Sequence, residues 1–157
     1  MPKNNKTVMR SGMVDVSHKS ITKRIAVASA QISFNPAAFK QFITQGSPKG
    51  NVLETAKVAG ILAAKSTPSI IPLCHPLILS KINVSFEIQS SKKAVIVFSE
   101  IVCCGQTGVE MEALCAVTAA CLTIYDMMKW ADKSIVISDV RLLKKTGGKS
   151  GNFERKQ

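Results

Sequence analysis

An α+β fold is predicted for this chain, a ferredoxin-like sandwich of a mostly antiparallel sheet with helices packed on one face. Three observations predict it. The apolar periodicity alternates between that of strands and that of helices in the order β-α-α-β-β-α-β. Two strand patterns, INVSFEIQ at 82–89 and AVIVFSEIVCC at 94–104, are separated only by SSKK, as in an antiparallel hairpin. The 157 residues are 46% hydrophobic, enough for one core that removes roughly 70% of the unfolded surface from water. No repeat or composition shift marks a second domain, so residues 1–157 read as one domain, with 1–12 as a basic, flexible tail.

The elements follow in order. RIAVASAQISF (24–34) alternates as a strand. In NPAAFKQFITQG, Asn35 is placed as N-cap, Pro36 at the first helical position and Gly46 as stop. A second helix, capped near Asn51, carries apolar residues at 52, 53, 56, 59, 62 and 63. PLCHPLI (72–78) is expected to be stiff and extended, because Pro72 and Pro76 each fix φ and bias the residue before them. After the hairpin, GQTGVEMEALCAVTAACLTIYDMMKWADK holds the longest helix, over 108–131, with a buried stripe of Leu114, Val117, Cys121, Ile124 and Met128. SIVISDVRLLKK (134–145) closes the sheet, and TGGKSGNF trails off it.

The net charge of +11 is concentrated at both ends. Residues 1–24 hold six Lys/Arg against Asp15, residues 141–157 hold six against Glu154, and the stretch between is nearly neutral. Such a balance suits a polyanion, either nucleic acid or a nucleoside triphosphate. Aromatics at 5% leave few platforms on which single-stranded bases could stack. The N-terminus has no apolar signal core, and no run reaches the ~20 apolar residues of a membrane span, so a cytoplasmic protein without membrane association is expected. The five cysteines lack C-x-x-C spacing and are expected to be reduced and buried. With two histidines and no paired ligand motif, neither a metal nor a cofactor is expected.

Several residues are candidates for chemistry. His75 is either a satisfied core imidazole or part of a site. Asp126 and Lys129 lie three apart on one helix face, where a carboxylate and an amine can divide base and acid roles or form an ordinary surface pair. Glu110 and Glu112 fall in the first turn, where the helix dipole favours acids in any case. Glu112 and Asp126 point in similar directions, yet stand about 21 Å apart at the α-helical rise. A small substrate touching both requires two subunits. KKTGGKSGN is not a Walker loop, since the first glycine of that pattern falls on Leu143 and no helix follows. Its glycines still let backbone amides approach phosphates beside Lys144, Lys145 and Lys149. Lys49, in GSPKGN, has a similar setting before a helix N-terminus.

Together, MVDVS with TKRIAVASAQI, KGNVLETAKVAGILAAKSTPSIIPLCHPL, GQTGVEMEAL, YDMMKW and DVRLLKKTGGKSGNF resemble the molybdenum cofactor biosynthesis protein C family, the cyclic pyranopterin monophosphate synthases. The resemblance runs from Met13 to Phe153 in unbroken order. It implies a lyase of molybdopterin synthesis that converts 3′,8-cyclo-7,8-dihydro-GTP to cyclic pyranopterin monophosphate and releases diphosphate. It implies Asp126 as the catalytic acid/base and Lys129 as its catalytic partner. It implies a substrate pocket with Leu73, Cys74, His75, Met111 and Glu112, further pocket positions at Lys49, Glu110 and Lys145, and phosphate contact by Arg24. His75 is then a hydrogen-bonding or proton-transfer group on a strand edge rather than a metal ligand. The resemblance also implies a ferredoxin-like subunit in a hexamer, a trimer of dimers with sites at the dimer interface, which agrees with the helix-length argument. Two rival readings remain, a basic α+β nucleic-acid-binding module without catalysis and a scaffold that only oligomerises.

Overall fold

The computed structural model describes residues 12–156; of the expected tail over 1–12, only Gly12 falls among them. Strand β1 (Thr22–Ser33) opens the fold and buries Ala26, Ala28, Ala30 and Ile32 on one face. Helix α1 (Pro36–Thr44) starts where Asn35 accepts from the Ala38 amide at 2.8 Å, with Pro36 in the first turn, where its missing N–H leaves no bond unmade. Helix α2 (Val52–Lys65) is capped the same way, Asn51 accepting from the Glu54 amide at 3.0 Å. A four-residue helix α3 (Thr67–Ile70), too short for a periodicity to reveal, follows it.

Strands β2 (Leu79–Gln89) and β3 (Ala94–Gly105) form the expected hairpin through a 3-10 turn, Ser90–Lys92, closed by Lys93 in the left-handed region. Helix α4 (Glu110–Met128) then crosses to β4 (Val136–Thr146). Residues expected to trail away instead turn back as β5 (Phe153–Glu154), which pairs with β4 at Lys144 and Lys145. Two ladder pairs are too few to show as an alternation in sequence.

The sheet order is β2-β3-β1-β4-β5, with every neighbouring pair antiparallel. Its first four strands have the ferredoxin-like arrangement: two split crossovers, with α2 and α4 on one face. The alanine face of β1 and Ala113, Ala116 and Ala120 of α4 share one core, so the helix lies close to the sheet. The contact of α2 with α4 is equally tight: a Cβ on Gly60 would stand 2.9 Å from the Ala116 carbonyl oxygen.

In the expected stripe of α4, Val117, Cys121, Ile124 and Met128 are buried, while Leu114 is partly buried against the core. On α2, Leu62 is 57% exposed, and Gly60 and Ala64 take inward places instead. Among the described residues, α4 is the one helix long and apolar enough to cross a bilayer, at 19 residues and mean hydropathy 1.4; its apolarity serves the core just described. All five cysteines are free. Burial holds for Cys103 and Cys121; Cys74 and Cys115 are half-buried and Cys104 is exposed, the last because it points to the opposite side of β3 from Cys103.

Candidate active site

The expected site residues gather in two groups at opposite ends of α4. At its C-terminal end, Asp126 accepts from Lys129 Nζ at 2.7 Å and from Lys49 Nζ at 2.6 Å. Lys49 is brought there by the turn Ser47–Gly50, whose Ser47 hydroxyl donates to the Met127 carbonyl at 2.7 Å and accepts from the Lys49 amide at 3.1 Å. The loop expected to offer Lys49 to an anion at the start of α2 therefore aims it at a carboxylate. The hydrogen bonds from Lys129 and Lys49 hold the Asp126 carboxyl well below its usual range, at about 2, and Asp126 in turn raises the Lys129 ammonium. In this arrangement Asp126 is a weak base. An anionic group that draws one lysine away restores its basicity.

The second group surrounds the N-terminal end of α4, where two cavities meet. One, of about 350 Å³, is basic: Arg24, Lys145 and Lys149 line it beside Gly147. The other, of about 410 Å³, is lined by Leu73, Cys74, His75, Met111 and Glu112. Lys19, Thr107, Gly108 and Glu110 belong to both, so the two form one continuous groove.

Within the basic half, Lys145 donates to Ser150 at 2.7 Å and stands 3.5 Å from Glu110. Arg24 is buried, and its Nε and Nη2 donate to the carbonyls of Gly105 and Gln106, each at 3.2 Å. The guanidinium thus fixes the GQTG loop while lining the cavity. Gly147 and Gly148, at φ +91° and +83°, pass directly over it, and a Cβ on Gly148 would land on the guanidinium itself.

In the apolar half, the Cys74 amide donates to Ile71 at 3.1 Å, closing a turn at Pro72–Leu73. His75 follows in an irregular segment and not on a strand edge. Strand β2 starts only at Leu79, and Pro76 has no N–H to give a ladder. His75 Nε2 lies 2.8 Å from the Val14 carbonyl. A carbonyl only accepts, so Nε2 carries the proton and donates, and Nδ1 of a neutral ring is left as acceptor.

Glu112 is only 3% exposed. Burial pushes its carboxyl up; its own backbone amide opposes the rise, and Glu110 adds to it. Burial likewise raises the thiols of Cys74 and Cys103, with the Glu112 charge reinforcing both. Because the Glu112 carboxyl is raised in the fold, its contribution to stability is full below the ordinary value of 4.5 and falls as pH rises through the raised value. Asp126 acts in the opposite sense and in a lower window: its contribution is present above 3.8 and lost as pH falls through about 2. Glu112→Gln, of nearly the same shape, is expected to flatten the decline of the urea midpoint that sets in as pH rises above the ordinary value of 4.5. An unchanged decline in that variant contradicts the burial argument.

Lys19, Val14, Val16, Gln106 and Thr107 line the groove without having been singled out in sequence. All but Lys19 fall within the MVDVS and GQTG motifs, which gave the one hint of a role. Among the described residues, no three His, Cys, Asp or Glu side chains converge as metal ligands. Glu112 and Asp126 are fourteen positions apart along α4, so the groove and the lysine–aspartate group of one chain stand about 21 Å apart.

The sequence model of the MoaC family matches residues 13–148. The chain is 49% identical over 144 residues to a cyclic pyranopterin monophosphate synthase of Parvibaculum lavamentivorans, covering 92% of this chain and 90% of that one. It is 52% identical to proteins of the same name from Oleidesulfovibrio alaskensis, covering 90% of this chain and 89% of that one, and from Listeria monocytogenes, covering 92% and 90%.

Proposed function

The chain belongs to the MoaC family, and on that premise we propose that it is a cyclic pyranopterin monophosphate synthase, a lyase of molybdenum cofactor biosynthesis. It converts 3′,8-cyclo-7,8-dihydro-GTP to cyclic pyranopterin monophosphate and releases diphosphate. The observation that supports this reading best is the groove: a lysine-lined cavity runs into an apolar one floored by a carboxylate. Such a groove takes a nucleoside triphosphate lengthwise, phosphates at one end and base at the other.

Each residue then has a task. Lys145, with Arg24 beneath the glycine loop, balances the triphosphate. Leu73, Cys74 and Met111 form walls against the ring system, and His75 and Glu112 exchange hydrogen bonds with its polar edge. Glu110 sits where phosphate and base halves meet, keeping Lys145 in place. Asp126, Lys129 and Lys49 come from the partner subunit. Opening and reclosing the ring needs several proton transfers, and a carboxylate between two ammonium groups supplies both an acceptor and donors. Attack of a sugar hydroxyl on the α-phosphorus expels diphosphate, and the charge that develops is stabilised by lysines without a covalent intermediate.

The protein is a single domain and acts in the cytoplasm, where its free cysteines stay reduced. A dimer holds two complete sites, and three dimers form a hexamer. Val58 and Leu62 of α2 and Leu122 of α4, each more than half exposed, supply an apolar surface for such contacts. The test is diphosphate release from 3′,8-cyclo-7,8-dihydro-GTP by the assembled protein, with the product identified by mass. Turnover without diphosphate, or none by well-folded protein, rejects the synthase reading.

A further inference from the structure

We propose that Gln106 is a positioning residue that straps residues 14–19 across the groove, bringing Lys19 to the anion end and the Val14 carbonyl to His75. The inference rests on the synthase reading for what the groove holds, and on the geometry alone for the strap. Residues 14–19 precede β1, so no sheet ladder holds them. Among the described residues, their external hydrogen bonds come from two side chains. Gln106 Nε2 donates to the carbonyls of Ser17 at 3.2 Å and Lys19 at 3.0 Å, and His75 Nε2 donates to that of Val14 at 2.8 Å.

Between these ties the segment is folded on itself: the Ser17 amide donates to Asp15 at 2.9 Å and the Lys19 amide to Val16 at 2.9 Å. Val14 and Val16 line the apolar half of the groove, and Lys19 lines both halves.

A carboxamide has two hydrogens on one nitrogen, which suits two adjacent carbonyls. Gln106 is itself fixed from behind, because its backbone carbonyl accepts from the buried Arg24 guanidinium at 3.2 Å. Core, loop, strap and imidazole therefore form one chain of contacts: Arg24 to Gln106, Gln106 to Ser17 and Lys19, and Val14 to His75. Loosening the strap withdraws the Lys19 charge and frees the His75 ring to turn and change tautomer.

The test separates the donor from the shape. Gln106→Glu keeps the shape but faces two carbonyls with an acceptor, while Gln106→Lys keeps an N–H donor of similar reach. With assembly unchanged, Gln106→Glu is expected to raise KM about tenfold with a smaller effect on kcat, and Gln106→Lys to return to within about threefold of wild type. Adding Lys19→Ala to Gln106→Glu changes KM less than about twofold further, because both act through one strap. Hydrogen exchange at the amides of residues 14–19, followed without substrate, is expected to quicken roughly tenfold in Gln106→Glu and stay slow in Gln106→Lys. Unchanged exchange in Gln106→Glu, equal damage by Lys and Glu, or additive effects with Lys19→Ala overturns the strap. A wild type that releases no diphosphate overturns the synthase reading and leaves the exchange result to judge the strap.

Discussion

Asp126→Asn is expected to lower diphosphate release by about 10²–10⁴-fold while leaving assembly and thermal stability nearly unchanged. The carboxylate lies between two ammonium groups at 2.6 and 2.7 Å. An amide of the same shape can neither take up a proton nor balance their charge. Stability changes little because the group is half-exposed, and water screens both ion pairs. Lys129→Ala is expected to act in the same direction, since it removes the neighbouring proton donor, a loss that the return of the Asp126 carboxyl towards its ordinary range does not make good. Single-turnover measurement of diphosphate on assemblies matched to wild type in size checks both. Near-normal release by a correctly assembled Asp126→Asn protein would move the centre of the reaction away from this end of α4.

The other large effect is a recovery. On the proposed reading His75→Ala and Asp126→Asn each damage one half of every site, and those halves lie about 21 Å apart in one chain. If each site takes His75 from one subunit and Asp126 from its partner, a mixed dimer contains one intact site and one doubly damaged site. Half of randomly reassociated dimers are mixed, so the mixture is expected to regain about a quarter of wild-type activity. The experiment dissociates the two variants, reassociates them together and separately, and compares diphosphate release. Recovery only in the mixture supports a shared site. No recovery, with mixed assemblies shown to be present, sinks it.

Much of the fold was legible because the local rules and the tertiary structure agree. Asn35 and Asn51 cap helices as their side chains can do anywhere, and the hairpin of β2 and β3 follows from two alternating runs with a short polar turn. What escaped notice depends on contacts distant in sequence. Strand β5 exists because β4 offers an unpaired edge to a segment with no pattern of its own. The site divides along the same line. Asp126 with Lys129 is an i, i+3 pair and could be read from spacing alone, whereas Lys49 joins them through a turn tied to Met127, across 77 residues of chain. Lys19 and Gln106 meet 87 residues apart, and neither has a neighbour that signals the contact. His75 was recognisable from its motif, but its partner is a backbone carbonyl, which no sequence displays.

The close passage of Gly148 over the Arg24 guanidinium has a consequence for how such a chain can diverge. Any side chain at 148 meets both a left-handed backbone and an occupied space, and shortening residue 24 first would release the GQTG loop that the guanidinium holds. Neither position can drift alone by a single neutral step. The two positions are sterically coupled, and a change at either would have to rebuild the floor of the basic cavity in the same move.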